Sequence, residues 1–239
     1  MNKSKNNEAF LASITESFHQ FLEKGTSIST DKLKPLHGFI AADIASRLGN
    51  EYTVFAQGYA EGKEELILGR YLNKMVDITI KKGDKVVAGI AVKFVMQNYS
   101  QNSNNYFENM LGETANIRSA NTPYFQVFIV FDKMPYYNKD KVIKRWESFT
   151  EHNSEKYIAL SKDDISEFKH TPNKTLLCIA HLPEPDHELH DKKAYIEYYR
   201  TKQPTITFAN GIDLHMDNAV IVNDYSLFSE KAYHTIKSI

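Results

Sequence analysis

Two charged residues, Asp77 and Lys93, interrupt the apolar runs MVDITI and VVAGIAVKFV of this 239-residue chain. Asp77 stands shortly before a turn signal, Gly83-Asp84, and Lys93 lies well inside the returning run. Side chains alternate along a strand, so Val87, Gly89, Ala91, Lys93 and Val95 share one face, while Ile90, Val92 and Phe94 share the other. An unpaired charge in such company is expensive, so Lys93 must reach a partner or the edge of a site. The chemistry open to the pair is electrostatic: a carboxylate can hold a hard cation, and an ammonium can stabilise developing negative charge. The bland alternative is a solvated acid at a strand end and a lysine that snorkels to water.

The elements that must position the pair can be read around it. Phe10, Leu11, Ile14, Phe18, Phe21 and Leu22 have helical spacing, stopped by Gly25. A second helix carries Leu36, Phe39, Ile40, Ile44 and Leu48 after cap candidates Ser29, Thr30 and Asp31. EYTVFAQGY is a short strand, and Lys74–Ile80 a second; Lys85–Val95 is the third, joined to the second by the Gly-Asp turn. Residues 99–105 form a polar loop. A helix follows, with Phe107, Met110, Leu111, Thr114 and Ile117 on one stripe, and then the buried strand YFQVFIVFD. Beyond it the pattern weakens: Lys139–Thr150 reads as a basic helix, Thr175–Leu182 as a strand, and KKAYIEYYR as a short helix. The order predicts a mixed α/β sheet core flanked by helices in a single domain spanning 1–239.

The layout resembles the PD-(D/E)xK nuclease superfamily, which includes many type II restriction endonucleases. Asp77 matches that family's metal-binding Asp, and Lys93 its lysine. The resemblance covers about residues 30–132 and implies a restriction-endonuclease-like core, Mg²⁺ as cofactor, and hydrolysis of double-stranded DNA by a homodimer. The remainder of the chain would supply recognition and dimer contacts. In such chemistry the carboxylates hold an ion that acidifies water, and the lysine stabilises charge at the scissile phosphate. The departure is Ala91, which stands where the family carries a second acid. Either Glu108 or Glu113, on the following helix, takes over as metal ligand, or Ala91 is an inactivating change, or the protein binds DNA without cutting it.

Other clusters are less specific. Lys81, Lys82 and Lys85 at the hairpin, and Lys139, Lys141, Lys144 and Arg145 further on, are candidate phosphate contacts. The amide-rich stretch from Gln97 and Asn98 suits phosphates or adenine edges. Asp43 on the second helix is a further possible metal-site acid, but more naturally a helix-surface residue. His181, His187 and His190 lie among acids in what reads as an exposed loop. The formal charge of −1 does not announce a globally basic nucleic-acid binder. One cysteine rules out a disulfide framework and makes a reducing cytoplasm the expected compartment. No apolar run reaches membrane-spanning length, and the first thirty residues lack a secretory pattern.

Overall fold

Tyr124–Phe131 are buried without exception, so this strand must be covered on both faces. The computed structural model, which describes residues 3–24, 30–211 and 214–239, shows how. Helices α1 (Lys3–Lys24) and α2 (Lys34–Leu48) precede β1 (Tyr52–Ala56), β2 (Glu65–Ile67), β3 (Lys74–Val76), β4 (Ile78–Lys82) and β5 (Lys85–Val95). Then come α3 (Tyr99–Arg118), β6 (Tyr124–Phe131), β7 (Lys133–Tyr137), β8 (Ile143–Ser148), α4 (Glu151–Ser161) and β9 (Lys174–His181). The chain closes with α5 (Lys192–Lys202), β10 (Thr207–Phe208), β11 (Val220–Val222) and α6 (Tyr225–Lys237). The expected helix stop Gly25 and cap Ser29 lie outside the described residues.

The main sheet runs β1-β4-β5-β6-β9-β10, with β11 beside β9. It is antiparallel from β1 to β5 and parallel across β5, β6 and β9. The fold is therefore mixed α/β with helices on both sheet faces. On one face Phe131 meets Phe18 of α1 and Phe94 of β5, and Phe125 meets Phe228 of α6. On the other, Phe128 meets Tyr99 and Tyr106 of α3 and Tyr157 of α4. No described helix is long and apolar enough to cross a membrane.

Three expectations are corrected. Lys74–Ile80 is not one strand: Lys74–Val76 pair with β2 in a separate hairpin, while Ile78–Lys82 pair with β1 and β5. The break falls at Asp77, whose Oδ2 accepts the Val92 N–H at 2.7 Å, so a side chain takes up a strand amide beside the β4–β5 ladder. Residues 99–105 are not a loop but the first turns of α3. Their polar composition is overridden by the burial of Tyr99 against Phe128 and Phe149. Finally, Lys139–Thr150 is not a helix. Asn138 Oδ1 accepts the amides of Asp140 and Val142, turning the chain so that β8 pairs with β7.

The β2–β3 hairpin is held from outside itself. Ile67 and Val76 turn inward onto Ile117 of α3 and Tyr124 of β6, forming a small second core. At its tip, Asn116 Oδ1 accepts the amides of Tyr71 and Leu72, and its Nδ2 donates to the Leu72 carbonyl. A Cβ at Gly69 would lie 2.1 Å from Asn116 Nδ2, so glycine permits this approach. We expect Asn116→Ala to cost about 1–3 kcal/mol in urea denaturation, because it removes three hydrogen bonds around a buried amide. The same variant should speed amide exchange at Tyr71 and Leu72, and unchanged exchange there would refute the clamp.

Candidate functional site

The register of the main sheet decides what meets Asp77. Ile78 pairs with Ile90 and Thr79 with Gly89, so one further step sets Asp77 opposite Ala91. Across the parallel pairing, Ala91 faces Gln126 and Lys93 faces Phe128. Asp77, Ala91, Lys93, Gln126 and Phe128 all line a cavity of about 570 Å³. Helix α3 closes one side with Tyr106, Glu108 and Glu113, and the hairpin contributes Leu72 and Lys74. The Lys93 ammonium lies 4.7 Å from the centre of the Tyr106 ring, a cation–π distance that fixes an otherwise mobile side chain at the cavity wall.

The two candidate replacement acids differ. Glu113 accepts a short hydrogen bond from the Tyr124 hydroxyl and pairs with Lys74 at 2.8 Å. It is committed to joining α3, β3 and β6. Glu108 is exposed at the cavity rim. Asp77 is different again: burial pushes its carboxyl up to about 6, with Glu113 adding to the rise, while the Val92 amide, Lys93 and Lys74 pull against it.

Behind Asp77, away from what the sequence pattern indicates, stand His37 and Glu64. One ligand atom from each of His37, Glu64 and Asp77 lies within 4.8 Å of the others. Glu64 precedes β2 and Asp77 follows β3, so extending the Glu65–Val76 pairing sets the two carboxylates opposite each other at the hairpin's open end. Glu64 is steadied by Gln57 Nε2 at 2.8 Å, and its carboxyl is raised by burial and then by Asp77. His37 is 2% exposed, and neither ring nitrogen has a hydrogen-bond partner. Burial pushes its pKa down to about 4, so the ring is neutral near pH 7. His37 carried one weak sequence signal, a histidine next to Leu36 on an apolar helix. Glu64 carried none.

The remaining candidates do not join the site. Asp43 is buried, paired with Arg47 at 3.1 Å and accepting from Tyr225 at 3.0 Å, so it ties α2 to α6. Lys81 pairs with Glu65 at 2.7 Å, and Lys82 lies over the Tyr52 ring. Lys85 is eight residues along β5 from Lys93, about 26 Å away at strand rise, and Lys81 is spent on Glu65. Arg145 is paired with Glu147 and lies over Tyr136, leaving exposed Lys144 beside it. Asn98, in the left-handed region as the cap of α3, exchanges hydrogen bonds with the Tyr137 backbone, while Gln97 is half-buried beside it. His187 and His190 are exposed beside Asp186 and Glu188, and His181 pairs with Asp132. Comparison with protein-family models, curated proteins and solved structures finds no match.

The paired shifts have opposite consequences for stability. Asp77, ordinarily near 3.8, keeps its proton in the folded state up to about 6. Its ionisation therefore destabilises the fold progressively as pH rises through that window, and fully above it. His37, ordinarily 6.5 and here about 4, costs stability as pH falls through 6.5 toward 4. In metal-free buffer, Asp77→Asn should be neutral near pH 4 and stabilising on the order of 2–3 kcal/mol above pH 6.5. Thermal melts across this range test it, and a stability difference independent of pH would contradict the burial argument.

Proposed function

We propose that this protein is a divalent-metal-dependent nuclease that hydrolyses phosphodiester bonds in double-stranded DNA. The observation that carries the reading is the meeting of Asp77 and Lys93 in one cavity on one sheet face. The order α2, β1, β4, β5, α3, β6, with β5 and β6 parallel, is the order that the resemblance to PD-(D/E)xK nucleases implies. A divalent cation fits here, because Val92 N–H occupies Asp77 Oδ2 and Oδ1 remains for an ion. When bound, such an ion supplies an acidified water and neutralises charge on the phosphate. Lys93 would stabilise the negative charge gathering on phosphate oxygens, held there by Tyr106. Glu113 acts by position, fixing Lys74 and Tyr124 at the cavity wall. Glu108, at the rim, is free to meet a water or the ion's outer shell. The finer form of the reading is a type II restriction enzyme, a homodimer in the cytoplasm cutting both strands of a palindromic site with Mg²⁺.

Ala91 favours a second reading, a DNA-binding protein on the same scaffold without cleavage, because the residue facing Asp77 carries no acid. Plasmid nicking separates the two. Supercoiled DNA should be converted to open-circular or linear form with Mg²⁺ or Mn²⁺ and not with EDTA. Lys93→Met and Asp77→Asn should each slow this by at least about 10²-fold, the scale for removing one group that stabilises transition-state charge. Retarded DNA in a gel shift without any nicking would establish the second reading. Undiminished cutting by both variants would end the first.

A further inference from the structure

We propose that His37, Glu64 and Asp77 bind one divalent transition-metal ion, so that the second carboxylate of the centre is Glu64 and not a residue at position 91 or on α3. The catalytic part of this statement rests on the nuclease reading; the ion site itself does not. Donors that share an ion at about 2.0–2.3 Å lie about 3–4.5 Å apart, close to the 4.8 Å limit within which all three ligand atoms fall. His37 is the independent observation. A buried imidazole with both nitrogens unpartnered is costly, and an ion would satisfy one of them. The carboxylates add a second cost, since like charges set opposite each other across a hairpin repel. A shared cation turns that repulsion into binding energy.

The arrangement is built rather than incidental. A Cβ at Gly38 would lie 2.4 Å from the Gly58 carbonyl oxygen, so α2 sits hard against the loop that leads to Glu64. That contact fixes His37, Gln57 holds Glu64, and Val92 holds Asp77. Three elements thus deliver one ligand each. One imidazole with two carboxylates is poorly suited to Mg²⁺, which prefers oxygen ligands and retained waters, and better suited to Mn²⁺ or a later first-row ion. Three protein ligands leave positions open for water and a phosphate oxygen. Because Asp77 also borders the cavity that holds Lys93, the ion would sit at that cavity's inner wall.

The test uses the full chain, stripped with EDTA and titrated with Mn²⁺ in the absence of DNA. One Mn²⁺ should bind per chain, and pulsed EPR should show coupling to a histidine nitrogen. His37→Gln should abolish that coupling and weaken binding at least tenfold. Glu64→Gln should weaken binding similarly while retaining the coupling. Circular dichroism and melts in EDTA show whether each variant is folded. Should His37→Gln fail to fold, Glu64→Gln, at a half-buried position, still decides the matter through its affinity. Absence of nitrogen coupling in the wild-type protein, or equal Mn²⁺ affinity in wild type and Glu64→Gln, would overturn the site. Nitrogen-coupled Mn²⁺ binding without DNA cleavage would keep the site and end the nuclease reading. Mg²⁺-supported cleavage without nitrogen coupling would do the reverse.

Discussion

The hydrogen bond from the Val92 amide to Asp77 Oδ2 sits where two sheets part. Before it, the chain belongs to the β2–β3 hairpin; after it, to the main sheet. A strand that continued straight through position 77 would place Lys74 and Glu64 elsewhere. By turning its carboxylate onto a neighbouring amide, Asp77 ends one pairing and begins another, and in doing so becomes a half-buried acid. That contact marks the hairpin's exit and holds Asp77 at the cavity's inner wall, while Gln57 holds Glu64.

The charges around this point are arranged at some cost to stability. Within the cavity, Lys93 and Lys74 favour ionised Asp77 while Glu113 opposes it; behind it, Asp77 in turn raises the Glu64 carboxyl. The buried carboxylate of Asp43, by contrast, is satisfied between Arg47 and the Tyr225 hydroxyl. Unbalanced acids and an unpartnered histidine occur together at one place. Sites that bind or react keep such imbalance, because a group already satisfied by its own protein has nothing left to offer a ligand.

The surface electrostatics follow a different rule. Several of the cations that looked like a phosphate-binding set are neutralised locally, Lys81 by Glu65 and Arg145 by Glu147. Lys85 also stands a strand's length from Lys93. Any DNA seated over Lys93 would therefore meet the β2–β3 hairpin and α3 first, where Leu72, Lys74 and Tyr106 line the opening. The outer face of that hairpin exposes Leu66 and Met75, which alternate with inward Ile67 and Val76, and its loop exposes Leu68 and Tyr71.

Much of the core was legible from local patterns. The helical stripes of α1 and α2, the span of β5, and the unbroken apolar run of β6 each follow from periodicity and burial. The alternation that puts Lys93 on one face with Ala91 is equally local, whereas the β4–β5 register is what sets Asp77 on that face. The misread segments, residues 99–105 and 139–150, are polar stretches whose structure comes from a few distant partners, Phe128 and Phe149 for one and β7 for the other. The cluster at Asp77 was beyond the sequence for the same reason. His37, Glu64 and Asp77 are far apart along the chain and obey no spacing rule. Only the packing of α2 on the Gly58 loop and the antiparallel closure of β2 on β3 bring their side chains together.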